Sequence, residues 1–168
     1  MSVYRIVAAR VREGVPLVDG WTKTVRDAMR RFTEARSRTL RMHYMASAAF
    51  GITCVCNVTE GMFRTIAENI DESVPAGGEQ YAEQLIRQMT LEIPGVRPAV
   101  LRRETARLLG ELMDFREFVY DTYTFAITEE RLKKACAVLE RAVDLLRADL
   151  NGFAEFADAI DDAIDLAE

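Results

Sequence analysis

Apolar residues recur at spacings of three and four along most of this chain, and that periodicity constrains its fold more than any other feature. This is the spacing of one face of an α-helix. Towards the C-terminus the stripe comprises Leu132, Ala135, Cys136, Leu139, Ala142, Val143, Leu146, Phe153, Phe156, Ile160 and Ile164. The pattern predicts helix over 129–165, either as one long helix or as two with a bend near Asn151-Gly152. Thr128 and the acids after it are typical of a helix start.

The same periodicity predicts a helix from Val100 to Tyr123, and two helices, or one broken near Gly51, between Thr22 and Ile70. Proline and glycine cluster at three places, which predict an entry loop at Pro16–Gly20 and further loops at 73–78 and 93–98. The only alternating segment is residues 4–7, a weak strand signal. We therefore expect an all-α fold, an antiparallel bundle of four to five long helices forming a single domain over residues 1–168.

Composition excludes several classes of protein. Apolar residues make up 49% of the chain and charged residues 29%, which is typical of a globular domain rather than a disordered one. The three cysteines form neither a disulfide framework nor a zinc pattern, so we expect free thiols, no metal and no cofactor. The most apolar stretch, 44–58, is shorter than the roughly 20 residues of a membrane span, and the N-terminus does not resemble a signal peptide. We expect a cytoplasmic protein without a membrane partner.

Charge is segregated along the chain although the net charge is only −5. The segment from Trp21 to His43 contains seven basic residues and two acidic ones. The basic residues are Lys23, Arg26, Arg30, Arg31, Arg36, Arg38 and Arg41, and the acids are Asp27 and Glu34. From Asp149 to the end there are seven acids and no base. One interpretation of the basic segment is an RNA-binding surface. The other, which the overall acidity favours, is that the two segments neutralise one another within one molecule or across a dimer.

Several pieces of the chain, in a fixed order, resemble a known family. They are VTEGMFRTIAENID (58–71), SVPAGG (73–78), QLIRQMTLEIPGVRPAVL (84–101), LLGELMDFREFVYDTYTFAITEERL (108–132) and LLRADLNGFAEF (145–156). Together they resemble the HepT-like ribonuclease toxins of the HEPN superfamily, most clearly over residues 56–156. The resemblance implies a HEPN-like helical bundle that assembles as a homodimer, with a nucleotidyltransferase-type antitoxin as its partner.

The resemblance also implies a ribonuclease motif: an arginine, four to six intervening residues, a histidine and often a tyrosine two positions after it. Here the arginine corresponds to Arg116 and the tyrosine to Tyr123, but Asp121 stands where the histidine is expected. Glu117 and Tyr120 replace the other basic positions. The family's tyrosine accepts AMP from the partner nucleotidyltransferase, so the resemblance assigns that role to Tyr123.

The substitution changes the chemistry of the motif. Metal-free RNA cleavage needs a proton carrier near neutral pH and a cation that stabilises charge on the phosphate. An aspartate, with an ordinary pKa of about 3.9, is a poor carrier at pH 7. Glu117 and Asp121 also place two like charges on one helix face. We therefore expect impaired ribonuclease activity and a role in partner binding, with RNA as a weak candidate partner.

Other readings of these residues stay open. An active metal-independent endoribonuclease could use Arg116 with Asp121 or with His43, the only histidine, which follows Arg38 at the motif's spacing. A third is a purely structural subunit of an assembly. The helical spacing predicts one stripe that contains Arg116, Tyr120 and Tyr123. One interpretation of this stripe is a recognition face for a partner or nucleotide. The other is structural, with the arginine paired with an acid and the two tyrosines packed at the interface.

Overall fold

The computed structural model describes residues 2–121 and 127–166. Five helices account for most of them: α1 Val3–Glu34, α2 Arg38–Asn69, α3 Tyr81–Met89, α4 Arg103–Asp121 and α5 Glu129–Asp165. No strand occurs in these two ranges, apart from one isolated bridge between Ile93 and Arg97. The prediction of an all-α helical bundle is confirmed. No helix in the described ranges is both long and apolar enough to cross a membrane.

Helices α1 and α2 form a long hairpin that turns at residues 35–37. The predicted strand at 4–7 and the predicted entry loop at Pro16–Gly20 were both wrong, because α1 runs through them. Burial of the stripe Val7, Val11, Val18 and Val25 along α1 compensates for the missing amide of Pro16.

Of the two arrangements predicted between Thr22 and Ile70, the two helices are observed and the break near Gly51 is not, because α1 ends at Glu34 and α2 is continuous through Gly51. The glycine permits a close approach of the two helices rather than a turn. A Cβ added at Gly51 would lie 2.7 Å from Cγ2 of Val25 in α1. Such a contact is well inside van der Waals distance, so the close packing of α1 on α2 leaves no room for a side chain at Gly51.

Helix α5 is a single helix without interruption near Asn151, and the hydroxyl of Thr128 caps it by accepting a hydrogen bond from the amide of Arg131 at 3.2 Å. It lies antiparallel to α1: Arg12 pairs with Asp158, and Arg26 pairs with Glu140 at 2.6 Å. The basic residues of 22–43 therefore face the beginning of α5.

This arrangement corrects the interpretation that the basic and acidic segments neutralise one another within one molecule. In the described residues, acids after position 148 pair with Arg5, Arg12 and Arg102, none of which belongs to the basic segment. The basic segment instead pairs in part with Glu140 and Glu129. Neutralisation across a dimer remains a prediction.

The connector between α3 and α4, residues 90–102, is held by a buried ion pair. One edge of the Arg97 guanidinium group binds Asp71 through two hydrogen bonds, with Nε 2.5 Å from Oδ1 and Nη2 2.6 Å from Oδ2. The remaining N–H groups donate to the carbonyl oxygens of Leu91, Pro98 and Gln88. All five donors of this side chain are thus used, which fixes the start of α4 relative to the end of α2.

Candidate functional site

The candidate site forms where α4 crosses α2 in antiparallel orientation. Nη1 of Arg116 donates to Oδ1 of Asn57 at 2.9 Å, and Nη2 donates to Oε2 of Glu60 at 2.7 Å. The Arg116 side chain is 14% exposed and the Glu60 side chain 26%. The arginine at the motif position is therefore already paired with a carboxylate, as one reading of the sequence predicted.

Tyr120 lies one helical turn beyond Arg116 and shares its partner. Nδ2 of Asn57 donates to the hydroxyl of Tyr120 at 3.2 Å, while Oδ1 of the same amide accepts from Arg116. The phenol ring is 59% exposed. Arg116 and Tyr120 thus form one polar cluster with Asn57 and Glu60, and this cluster opens to solvent.

A cleft of about 900 Å³ runs beside the cluster, between α3 and α4. Its floor is formed by small and apolar side chains such as Ala82, Ile86 and Met113. Its charged lining has seven acids and four arginines: Glu60, Glu79, Glu83, Glu111, Asp114, Glu117 and Asp121 against Arg87, Arg103, Arg107 and Arg116. Two of the four arginines, Arg107 and Arg116, already pair with Glu111 and Glu60.

The protein beneath the cluster is buried and apolar. Cys56 is buried at the crossing, with its thiol 3.5 Å from the carbonyl oxygen of Leu112, to which it donates. Burial raises the pKa of the Cys56 thiol to about 12, although the positive charge of Arg116 opposes part of that rise. Arg116 therefore lies at a boundary, with an apolar interior on one side and an open cleft on the other.

The remaining predicted residues fall in three places. Glu117 and Asp121 are exposed and both line the cleft, so the two like charges that the helical spacing predicted face the same space. Tyr123 lies outside the described residues. Arg38 and His43 are exposed near the start of α2, and His43 lies 14 residues before Asn57, or about 21 Å along the helix.

Two members of the cluster, Asn57 and Glu60, were not predicted as site residues. They are 59 and 56 positions from Arg116, so no local spacing relates them to it. The signal available was that Glu60 falls within the run 58–71 that carried the resemblance. No group of three or more histidine, cysteine or acidic side chains in the described ranges is arranged to hold a metal ion.

Comparison with known proteins gives one positive finding. A sequence model described as HepT-like protein matches residues 48–157, which is more than half of the chain and includes α3, α4, most of α2 and most of α5. All four residues of the polar cluster lie within the matched range. Searches of curated proteins and of solved structures give no match.

Proposed function

We propose that this chain acts in a toxin–antitoxin or phage-defence module, has impaired ribonuclease activity and works by binding a partner. The chain belongs to the HepT-like family of HEPN proteins. The observation that carries this proposal is the pairing of Arg116 with Glu60 at a cleft whose charged lining has seven acids and four arginines. A ribonuclease needs this arginine to face a phosphate, and here it faces a carboxylate.

Two physical effects combine against RNA cleavage. An exposed aspartate, Asp121, occupies the position where the family has histidine, the side chain suited to carrying protons near neutral pH, and general acid–base catalysis is worth roughly 10²–10⁴-fold. A phosphate that displaced Glu60 from Arg116 would leave that half-buried carboxylate without its cation, and six further acids around the cleft would repel the phosphate.

The same features suit a protein partner. A cleft with an apolar floor and an acidic rim is complementary to a basic surface that offers an apolar side chain. We infer that the helix carrying Arg116 is buried in a two-fold homodimer, since Tyr120 is a large aromatic side chain left exposed beside the cluster. A nucleotidyltransferase-type antitoxin is the proposed second partner.

The activity is tested by comparing the purified protein with Arg116→Ala on a labelled single-stranded RNA, together with growth of a bacterial host expressing each. We expect both proteins to leave the RNA intact on the timescale of a toxin assay, and neither to slow growth. Robust cleavage that Arg116→Ala abolishes supports the second candidate function instead, an active metal-independent endoribonuclease.

The partner is tested through Tyr123. Co-expression with a nucleotidyltransferase encoded beside this protein, followed by intact-mass measurement, is expected to show addition of AMP. The variant Tyr123→Phe should stay unmodified, and Tyr120→Phe serves as the control because it removes a neighbouring phenol, three positions earlier in the sequence. An unmodified mass for the parent protein, or loss of the modification in Tyr120→Phe alone, contradicts the assignment of Tyr123.

A further inference from the structure

The end of the bundle where α1 turns into α2 concentrates arginines that the cleft does not use. We call Arg30, Arg31, Arg36 and Arg38 the arginine-rich end. All four are exposed, and three of them, Arg31, Arg36 and Arg38, have no carboxylate within ion-pair distance among the described residues. Most arginines elsewhere in the described ranges are paired: Arg5, Arg10, Arg12, Arg26, Arg41, Arg64, Arg97, Arg102, Arg107, Arg116, Arg141 and Arg147.

The arginine-rich end has a shaped surface as well as charge. A depression of about 430 Å³ lies there, lined by Arg30, Arg31, Glu34, Ala35, Leu40 and Tyr44. Tyr44 is half-buried, so its side chain forms part of the wall of this depression. Two guanidinium groups beside an aromatic ring and an exposed leucine offer phosphate contacts and a stacking surface in one place.

The acidity of the whole protein does not cancel this local charge. The acidic end of α5 lies beside the beginning of α1, where Asp158 pairs with Arg12. Arg31 is 19 residues further along α1, or about 28 Å, which exceeds a Debye length of about 8 Å at physiological salt.

Among the described residues, the acids that lie near are few, and two of the four form ion pairs. Asp27 pairs with Arg30 at 3.1 Å, and Glu129 pairs with Arg41 and Lys133. Glu34, in the lining of the depression, and Glu130, in the first turn of α5, are the remaining ones. The local balance therefore stays positive.

We propose that the arginine-rich end binds single-stranded nucleic acid, with phosphates on Arg31, Arg36 and Arg38 and a base stacked on Tyr44. An acidic protein surface would match the charge but makes no use of an aromatic ring flanked by guanidinium groups. The surface lies apart from the cleft: Tyr44 is 13 residues before Asn57 on α2, or about 20 Å. Binding there is therefore compatible with the loss of cleavage at Arg116, and it extends the proposed function without depending on it.

The test is fluorescence anisotropy with labelled single-stranded RNA and DNA of about 12 nucleotides, within the usual site-size range. The triple variant R31E/R36E/R38E is expected to bind at least about tenfold more weakly at moderate salt, and the slope of log K against log salt to fall by about 2. Tyr44→Ala is expected to lose roughly five- to hundredfold. Comparing RNA with DNA shows which of the two the surface prefers.

The matched control is R10E/R64E/R141E, which changes the net charge equally at three exposed helical arginines away from this end. It should bind within about twofold of the parent protein, since salt-screened charges at a distance contribute little. Equal loss in both triple variants, absence of binding at low salt, or competition by polyglutamate as strong as by RNA would overturn the proposal. The last outcome would indicate an acidic protein partner instead.

Discussion

Two arginines in this molecule occupy opposite kinds of site. Arg97 is fully enclosed in the connector, and each of its five N–H groups has a protein acceptor. Arg116 lies at the edge of the cleft, with one bond to Asn57, one to Glu60 and the rest of its donors without a partner among the described residues. Both are paired with a carboxylate, yet only the second has capacity left for a ligand.

The difference shows why an ion pair by itself does not identify a functional arginine. Around Arg97 the carboxylate of Asp71 also accepts from Gln88 at 2.7 Å, so the network is closed and structural. Around Arg116 the network ends at the exposed phenol of Tyr120 and at a cleft. A partly satisfied polar cluster beside open space is the arrangement expected of a binding site.

The largest expected effect comes from breaking the closed network. Arg97→Gln removes the cation from Asp71, whose side chain is 1% exposed, and leaves a buried charge without its partner. The free energy of unfolding should fall by about 3–5 kcal/mol, measured by urea denaturation. Arg10→Gln, at an exposed pair, should change stability by less than about 0.5 kcal/mol. If the two variants are equally stable, the connector does not depend on this ion pair.

A smaller effect is expected from the same substitution at the open cluster. Arg116→Gln should lower the free energy of unfolding by only about 1–2 kcal/mol, because solvent reaches both Arg116 and Glu60 and compensates part of the loss. Urea denaturation beside Arg97→Gln gives the direct comparison. A cost as large as that at Arg97 would show that Arg116 is a structural residue too.

The smallest expected change in the free energy of unfolding comes from Cys56, which is buried beneath the open cluster. Because burial raises the pKa of Cys56 to about 12, its thiol ionises at lower pH in the unfolded chain than in the folded one. Stability is therefore lost as pH rises above the unfolded value of about 8.5 towards the folded value. Between pH 8 and 9, this thiol should lower the free energy of unfolding of the parent protein by about 0.5–1 kcal/mol, and Cys56→Ala should lack that decrease. Urea denaturation of both proteins at each pH measures the difference. An unchanged slope would mean that water reaches the thiol.

Sequence reasoning predicted the elements of this molecule better than it predicted the contacts between them. The apolar periodicity predicted the long helices, and the predicted helix start at Thr128 is the observed N-cap of α5. Local rules failed at Pro16 and Gly51, because helix packing over 32 residues outweighs the preference of one proline or glycine. The pairs Arg97–Asp71 and Arg116–Glu60 join residues 26 and 56 positions apart, and nothing in local spacing encodes them.

Arg116 is present at the motif position, and under the proposed function its surroundings do not support RNA cleavage. The most direct measurement is the single-turnover cleavage rate of Glu60→Gln/Glu117→His/Asp121→His, which frees Arg116 from its carboxylate, places imidazole groups on the exposed face of α4 and removes three acids from the cleft. We expect a rate at least about 100-fold above that of the parent protein, and loss of the gain when Arg116→Ala is added. A parent protein that already cleaves as fast as the histidine variant would contradict the proposed function.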